Sequence, residues 1–502
     1  MVRTEGTSPD GSRLGRPLLS RRAVVGGGLW TVAERVISQG AQLVILVIAA
    51  RVLGPAEFGV FALVSAAAMI LSRVAELGWG PFILSWDGDD RVPRQVITLA
   101  AASGLAVAAL GAAVALALTR WEGLAGAAPL ALAFAAWVPL AAVSSAQRSI
   151  VQWQGRLATA SACEIAGEAV GLAVAVWALM EGHGVMALAY GRLAMQSAHI
   201  AATFAVTRLP PVLGMSGAPL RALMAYNAQM LASRAVGYAR GYIATFVIGG
   251  FLGPASVGWY RAAERLVGAV TEVIGVPAEK LAWSQMREAR DGAGGGVGSD
   301  MWTGRFEIWC KALLGIGLPA LVWLSAMGED VIALLLGPGW EPALPVIALL
   351  ALSQALQLPR FALDAALSLA GNLRRLAPLM LLLAAVALAL TLAAAPFGMV
   401  PVAGAQIAAG AIALAAILRA LSRHAALPAA IALRACARVV PAVLVAGIAL
   451  LALREAGFAA QWHPALRAFA LPLPAVPVYL AALAALDPDL RGWAAARLRR
   501  AA

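Results

Sequence analysis

Arginines set inside long apolar runs are the residues of this sequence with the most chemistry in them. Arg35, Arg73, Arg234, Arg261 and Arg265 all stand there. A cation in hydrocarbon is costly, so each should face a cavity or a partner. Their polar neighbours follow helical steps of three and four. Thr31, Glu34, Arg35, Ser38 and Gln42 share one helix face, and Ser72, Arg73, Glu76 and Gly80 share another. Arg234, Gly237, Tyr238, Gly241 and Thr245 form a third, and Arg261, Glu264, Arg265, Gly268 and Glu272 a fourth. Guanidinium binds phosphoryl oxygens bidentately, so stripes that converge on one cleft would bind a phosphate or diphosphate, and inorganic and sugar phosphates fit equally well. Arg73 with Glu76 and Arg261 with Glu264 also fit another reading, as ion pairs three residues apart that neutralise each other. Arg240 lies off its stripe and reads as structural. Glu164 and Glu168, one turn apart, and Glu272 are candidates for H+ or Na+ coupling; hydrogen-bonded, protonated carboxyls would explain the first two equally well. No cofactor or metal is called for. His183, His199, His424 and His463 lie apart near span ends and are assigned no chemistry.

The surroundings of these residues are membrane-like. Of 502 residues 61% are hydrophobic and 13% charged, and the mean hydropathy is +0.82. A soluble domain is about half apolar and one quarter charged. Apolar runs punctuated by Gly, Pro and charge predict helices near 26–50, 57–84, 95–118, 124–146, 157–180 and 184–207. A second series lies near 222–250, 256–279, 306–327, 343–370, 376–395 and 399–418, with two more near 439–453 and 468–486. The fold class is therefore an all-α polytopic membrane protein with about 14 transmembrane helices. Cys163, Cys310 and Cys436 lie far apart and read as small core residues.

The net charge of +12 does not indicate nucleic acid, because the basic residues fall in short connectors between spans. With both termini cytoplasmic, nearly all connector cations lie inward, and Arg51, Arg120, Arg454 and Arg467 alone lie outward. Arg148 counts among the inward ones, just past the predicted end of the fourth span. Arg35 and Arg234 then lie roughly 13 to 18 Å deep. Arg13, Arg16, Arg21 and Arg22 resemble the start of a signal peptide, but the following run is too long and too polar for one. Trp86, Trp121, Trp153, Trp340, Trp462 and Trp493 read as headgroup anchors at span ends.

The sequence also repeats itself. Leu53-Gly54-Pro55-Ala56-Glu57-Phe58-Gly59 and Leu252-Gly253-Pro254-Ala255-Ser256-Val257-Gly258 share five of seven residues at an offset of 199. Each copy joins the first and second helices of its series. Six helices separate the copies, so both face outward, and the two six-helix bundles should be related by a pseudo-twofold axis along the membrane normal. The offset places Arg35 on Arg234 and Arg73 on Glu272. The expected organisation is a basic cytoplasmic tail (1–22), a first bundle (23–208), a second bundle (209–420), and two additional helices with a basic cytoplasmic tail (421–502).

The run Ala50-Arg51-Val52-Leu53-Gly54-Pro55-Ala56-Glu57-Phe58-Gly59-Val60-Phe61 resembles the signature of bacterial oligosaccharide flippases, the polysaccharide transport branch of the multidrug/oligosaccharidyl-lipid/polysaccharide exporter superfamily. Leu335-Leu336-Gly337-Pro338-Gly339-Trp340-Glu341-Pro342-Ala343, followed by Gly371-Asn372, is similar to that family as well. The resemblance implies two bundles around a central cavity in the bacterial inner membrane. It implies movement of undecaprenyl-diphosphate-linked oligosaccharide to the periplasmic leaflet by alternating access, for O-antigen, capsule or exopolysaccharide. Related lipid-linked precursor flippases place cavity arginines on the first, second and eighth helices, which here carry Arg35, Arg73 and Arg261 or Arg265. The implied partners are the lipid-linked oligosaccharide, the bilayer, and a polysaccharide polymerase with other assembly proteins. The alternative is a cation-coupled exporter of drugs or small solutes, although a net cationic cavity argues against it. An enzyme is not expected, because the longest outward loop, near 328–342, carries acids but no base.

Overall fold

The computed structural model describes residues 21–76, 78–120, 125–214, 218–372, 376–457 and 459–487; the side chains of 21–29, 31–33, 36, 218, 219, 222, 226, 228–240, 376 and 377 lie outside that description. Among the described residues there is no strand, and ten helices are long and apolar enough to cross a membrane. The protein is an all-α polytopic membrane protein, as its composition requires.

The first half contains α1 (Arg21–Val52), α2 (Pro55–Glu76), the short α3 (Trp79–Ser85), α4 (Arg91–Leu118), α5 (Ala128–Trp153), α6 (Leu157–Met180) and α7 (Met186–Thr207). Helix α8 (Ala218–Asp291) opens the second half. It breaks at Gly253, whose φ of 80° and ψ of 177° suit glycine alone, and the following Pro254 has no N–H to continue the ladder. Its limbs, 218–252 and 254–291, are the seventh and eighth predicted spans, and the second runs three turns past its predicted end. Then come α9 (Asp300–Ala326), capped by the Ser299 hydroxyl, and α10 (Gly328–Leu335). One span is divided into α11 (Leu344–Gln357), a 3₁₀ turn (Leu358–Ala362) and α12 (Leu363–Leu369). The chain finishes with α13 (Leu376–Ala394), α14 (Met399–His424), α15 (Ala429–Glu455), α16 (Pro464–Phe469) and α17 (Ala475–Leu486). The last predicted span, 468–486, is not one continuous helix. Pro472 and Pro474 interrupt it, and the 12 residues of α17 cover about 18 Å, less than the hydrocarbon thickness.

Helices α1, α2 and α4 to α7 pack on one another, and α8, α9, α11, α13 and α14 do the same. α15 lies against α9, and α17 lies against α15. Charge fastens this appendage, because Lys311 of α9 is 3.4 Å and Arg438 of α15 is 3.5 Å from the buried Asp487.

The halves meet where α2 crosses the second limb of α8, and the sequence repeat explains the crossing. A methyl group on Gly59 would lie 1.8 Å from the carbonyl oxygen of Pro254, and one on Gly258 would lie 2.0 Å from that of Pro55. Each repeat copy therefore uses its glycine to admit the proline carbonyl of the other. The contact is reciprocal, as a twofold between the bundles demands.

The second sequence motif covers this crossing. Trp340 stacks edge-on against Phe58 with ring centroids 5.6 Å apart, and its Nε1 donates to the Ala50 carbonyl at 3.0 Å. Trp259 Nε1 donates to the Gly339 carbonyl at 2.9 Å, and Arg51 donates to the Leu334 and Leu335 carbonyls that end α10. Trp340 is only 1% exposed, so it is not the headgroup anchor its place at a span end suggests. Trp340→Ala should cost roughly 3 to 5 kcal/mol, read as a lower thermal midpoint of the purified protein, whereas Trp340→Phe keeps the stacking and loses about 1 kcal/mol with its hydrogen bond.

Candidate substrate cavity and its charged neighbours

Between the halves, beneath the Gly-Pro crossing, lies a cavity of about 520 Å³. At the motif end its walls are apolar and come from Leu46, Ala49, Phe58 and Phe61. Further in, four arginines line it from three helices: Arg35 of α1, Arg192 of α7, and Arg261 and Arg265 of α8. Glu168 and Glu272 also line it, so its ionised walls carry a formal excess of two positive charges.

Each arginine is held differently. Arg261 bonds Glu264 one turn along its own helix and lies 5.5 Å from the centre of the Tyr242 ring. Its charge is largely neutralised within its helix, as the ion-pair reading allowed. Arg265 crosses to α1, where the side-chain oxygens of Gln39, at 3.3 Å, and Gln42 accept from its Nη2. Neutral amides orient a guanidinium without cancelling its charge, so Arg265 keeps its capacity for an anion. Arg35 sits 3.6 Å from Glu272, and this ion pair joins the halves at the end opposite the Gly-Pro crossing. The cavity is thus fastened at both ends by unequal means, backbone contact at one and a half-exposed ion pair at the other.

An exposed ion pair contributes about 0 to 1 kcal/mol and is screened by salt. Glu272→Gln should therefore raise thiol labelling of a cavity cysteine from the Arg35 end by no more than about five-fold. High salt should do the same to the parent protein, and a much larger rise would mean that Glu272 holds more than Arg35.

The other candidates fall in several places. Arg73 pairs with Glu76 at 2.8 Å on α2 and does not line the cavity. Arg234 lies on the first limb of α8 with its side chain outside the described residues, as do those of Thr31, Tyr238 and Arg240. Glu168 reaches the cavity and accepts hydrogen bonds from Ser38 and Gln42, whereas Glu164 turns away from it into the first bundle.

Two important residues are not among the sequence candidates. Arg192 stands on α7 in a polar series with Gln196, His199 and Thr203, whose steps of four, three and four residues mark one face of that helix. Arg148 has the sequence position of a connector cation, but α5 continues to Trp153 and carries it into the interior, where its Nη2 lies 2.5 Å from Glu34 and its Nη1 3.2 Å from Glu164. His199 is likewise no isolated residue at a span end; it is 1% exposed and 3.3 Å from Glu164. For Arg148 the missing signal is pairing between helices, because a cation compensated from a distant helix looks unpaired in its own run.

A family model described as a polysaccharide biosynthesis protein matches residues 48–345, more than half of the chain and both Gly-Pro copies. The chain belongs to this family. No curated protein gave a significant match. Among solved structures the chain is similar to the lipid II flippase MurJ in an inward closed conformation, with 13% identity and a TM-score of 0.69 over 93% of this chain and 99% of that one. It is also similar to an inward-facing multidrug resistance MATE family transporter of the MOP superfamily, with 14% identity and a TM-score of 0.61 over 77% of this chain and 94% of that one. An outward-facing transporter of that description matches at 15% identity and a TM-score of 0.52, covering 80% and 96%. At such identities the likeness defines the fold. This member of the polysaccharide biosynthesis family therefore has the fold shared by a lipid-linked precursor flippase and by exporters, and its named relatives are transporters rather than enzymes.

Proposed function

We propose that the protein flips an undecaprenyl-diphosphate-linked oligosaccharide from the cytoplasmic to the periplasmic leaflet of a bacterial inner membrane, with both termini cytoplasmic, by alternating access between its two bundles. The observation that carries this reading is Arg265, a cavity guanidinium oriented by hydrogen bonds to two neutral glutamines of α1. Arg35, Arg192 and Arg261 surround the same space, Arg234 belongs to the same helix pair by repeat, and Arg73 is the outlying member. A diphosphate carries the charge and the oxygens that such a set binds. Glu168 and Glu272 are the acids through which a coupling ion would act on that space. The cavity volume suits a diphosphate with a few sugars, while the isoprenoid tail remains in lipid. The flipped product would then be a substrate for a periplasmic polymerase.

Native mass spectrometry of the purified protein separates this reading from drug export. Undecaprenyl diphosphate should be retained and undecaprenol lost. Retention of a cationic amphiphile in preference to the diphosphate lipid would replace flipping with export.

A further inference from the structure

The cavity uses the arginines of α1 and α8 but leaves unexplained a second set of ionisable groups, buried in the first bundle. Glu34 of α1, Arg148 of α5, Glu164 of α6 and His199 of α7 converge there. Arg148 bridges the two glutamates through its two terminal nitrogens. The Glu164 Oε2 that receives one of them also faces His199 Nε2 at 3.3 Å. On the far side of the imidazole, Nδ1 lies 2.5 Å from the Ser144 hydroxyl. None of these four side chains lines the cavity.

Charge counting makes the set incomplete. Two carboxylates and one guanidinium leave one negative charge while His199 is neutral, and Glu168 below is balanced by Arg192, which acts on it from α7. The other groups nearby are Ser144, which meets His199, Gln147, which is taken up by Thr203, Cys163, which Arg156 and Glu164 both approach, and Glu168, whose charge also acts on Glu164. A net charge held among packed helices is costly, and a single proton removes it. Two polar atoms are also left open: Glu34 Oε2 and His199 Nε2 are buried without a hydrogen-bond partner. If His199 carries its proton on Nδ1, a bare Nε2 lone pair faces a carboxylate oxygen, an arrangement that an added proton converts from repulsion to a hydrogen bond.

We infer that Glu34, Arg148, Glu164 and His199 form a proton-binding site, with the exchangeable proton held between Glu164 Oε2 and His199 Nε2. Occupancy takes the cluster from a formal charge of minus one to zero. Sodium is a poorer ligand for it, because a guanidinium and an imidazole occupy the directions in which a metal would need oxygens. The site communicates with the cavity through α1, which presents Glu34 to the cluster and Arg35, Gln39 and Gln42 to the second bundle. Gln42 spans the junction, since it donates to Glu168 and accepts from Arg265. Proton binding alters the pull of Arg148 on Glu34, and hence the placement of the residues that orient Arg265. As the driving site of transport the cluster rests on the proposed function; the binding of the proton does not.

Infrared titration of the full-length protein in lipid nanodiscs between about pH 8 and pH 5 tests this directly. The parent protein should show one buried carboxyl or imidazolium band that titrates. Glu164→Gln should remove it, and His199→Gln, the milder change, should displace its midpoint by at least about ten-fold in proton concentration. Glu76→Gln on α2 should leave it in place. A band unchanged in both Glu164→Gln and His199→Gln, or one that sodium chloride shifts at fixed pH while choline chloride does not, would overturn the assignment. A flippase that fails the leaflet assay described below but keeps this band would lose its transport role and retain its proton site.

Discussion

Arg265→Ala is expected to remove surface polysaccharide from cells that depend on this protein, while the variant still accumulates in the membrane. The side chain crosses from α8 to two glutamines of α1 and has neutral partners there, so its loss removes a cavity cation and releases a cross-bundle contact. Hydrogen bonds to a charged group contribute about 1.5 to 3 kcal/mol, so binding of the diphosphate lipid should weaken by about 10- to 150-fold. Arg265→Lys keeps the charge but not the fork and should fall between. Arg261→Ala should cost less, because Glu264 already neutralises that guanidinium, and Arg73→Ala should cost least, since Arg73 is paired on its own helix away from the cavity. The outcome read is the diphosphate-lipid affinity together with surface glycan; normal values in Arg265→Ala would remove this residue from the site.

The second large effect is expected at the crossing of the bundles. Gly59→Ala and Gly258→Ala each place a methyl group within 2.0 Å of a proline carbonyl oxygen, and backbone cannot step aside as a flexible side chain can. Relief requires α2 and the second limb of α8 to separate, which opens the cavity at the motif end. Overpacking of this kind costs about 1 to 3 kcal/mol, a shift of about 5- to 150-fold toward the open state. The readout is modification of a Ser65→Cys reporter in the cavity wall by a membrane-impermeant thiol reagent, with the native cysteines replaced. The two variants should accelerate labelling to a similar degree, because the contacts are reciprocal. Their combination should be less than multiplicative, since the first separation already relieves the second clash. Labelling at the parent rate in both would mean that this crossing is not a gate.

The sequence carries the architecture because spanning helices write their length and apolarity locally. The Gly-Pro repeat, legible as a match at an offset of 199, predicted paired helix connections, and its glycines turn out to face the opposite prolines. The failures have a physical pattern. Pro472 and Pro474 divide a run that hydropathy alone reads as continuous. Trp340 has the position of a membrane anchor yet is buried, because what decides its environment is Phe58, some 280 residues earlier. Arg148 is not legible locally because its partners, Glu34 and Glu164, come from other helices, whereas Arg192 and His199 do share a helical series with Gln196 and Thr203, and spacing alone does not tell which acids that face meets. The polar stripe expected on one face of α1 has two sides: Glu34 faces the first bundle, and Arg35 faces the second.

The central claim is that the chain carries a diphosphate-linked glycan across the membrane, and the leaflet in which that lipid accumulates tests it most directly. In cells lacking the gene, undecaprenyl-diphosphate oligosaccharide should build up on the cytoplasmic side, protected from a glycosidase added to the periplasm. The gene, but not its Arg265→Ala form, should restore access. Precursor that reaches the periplasmic leaflet at the normal rate without this protein would contradict the account.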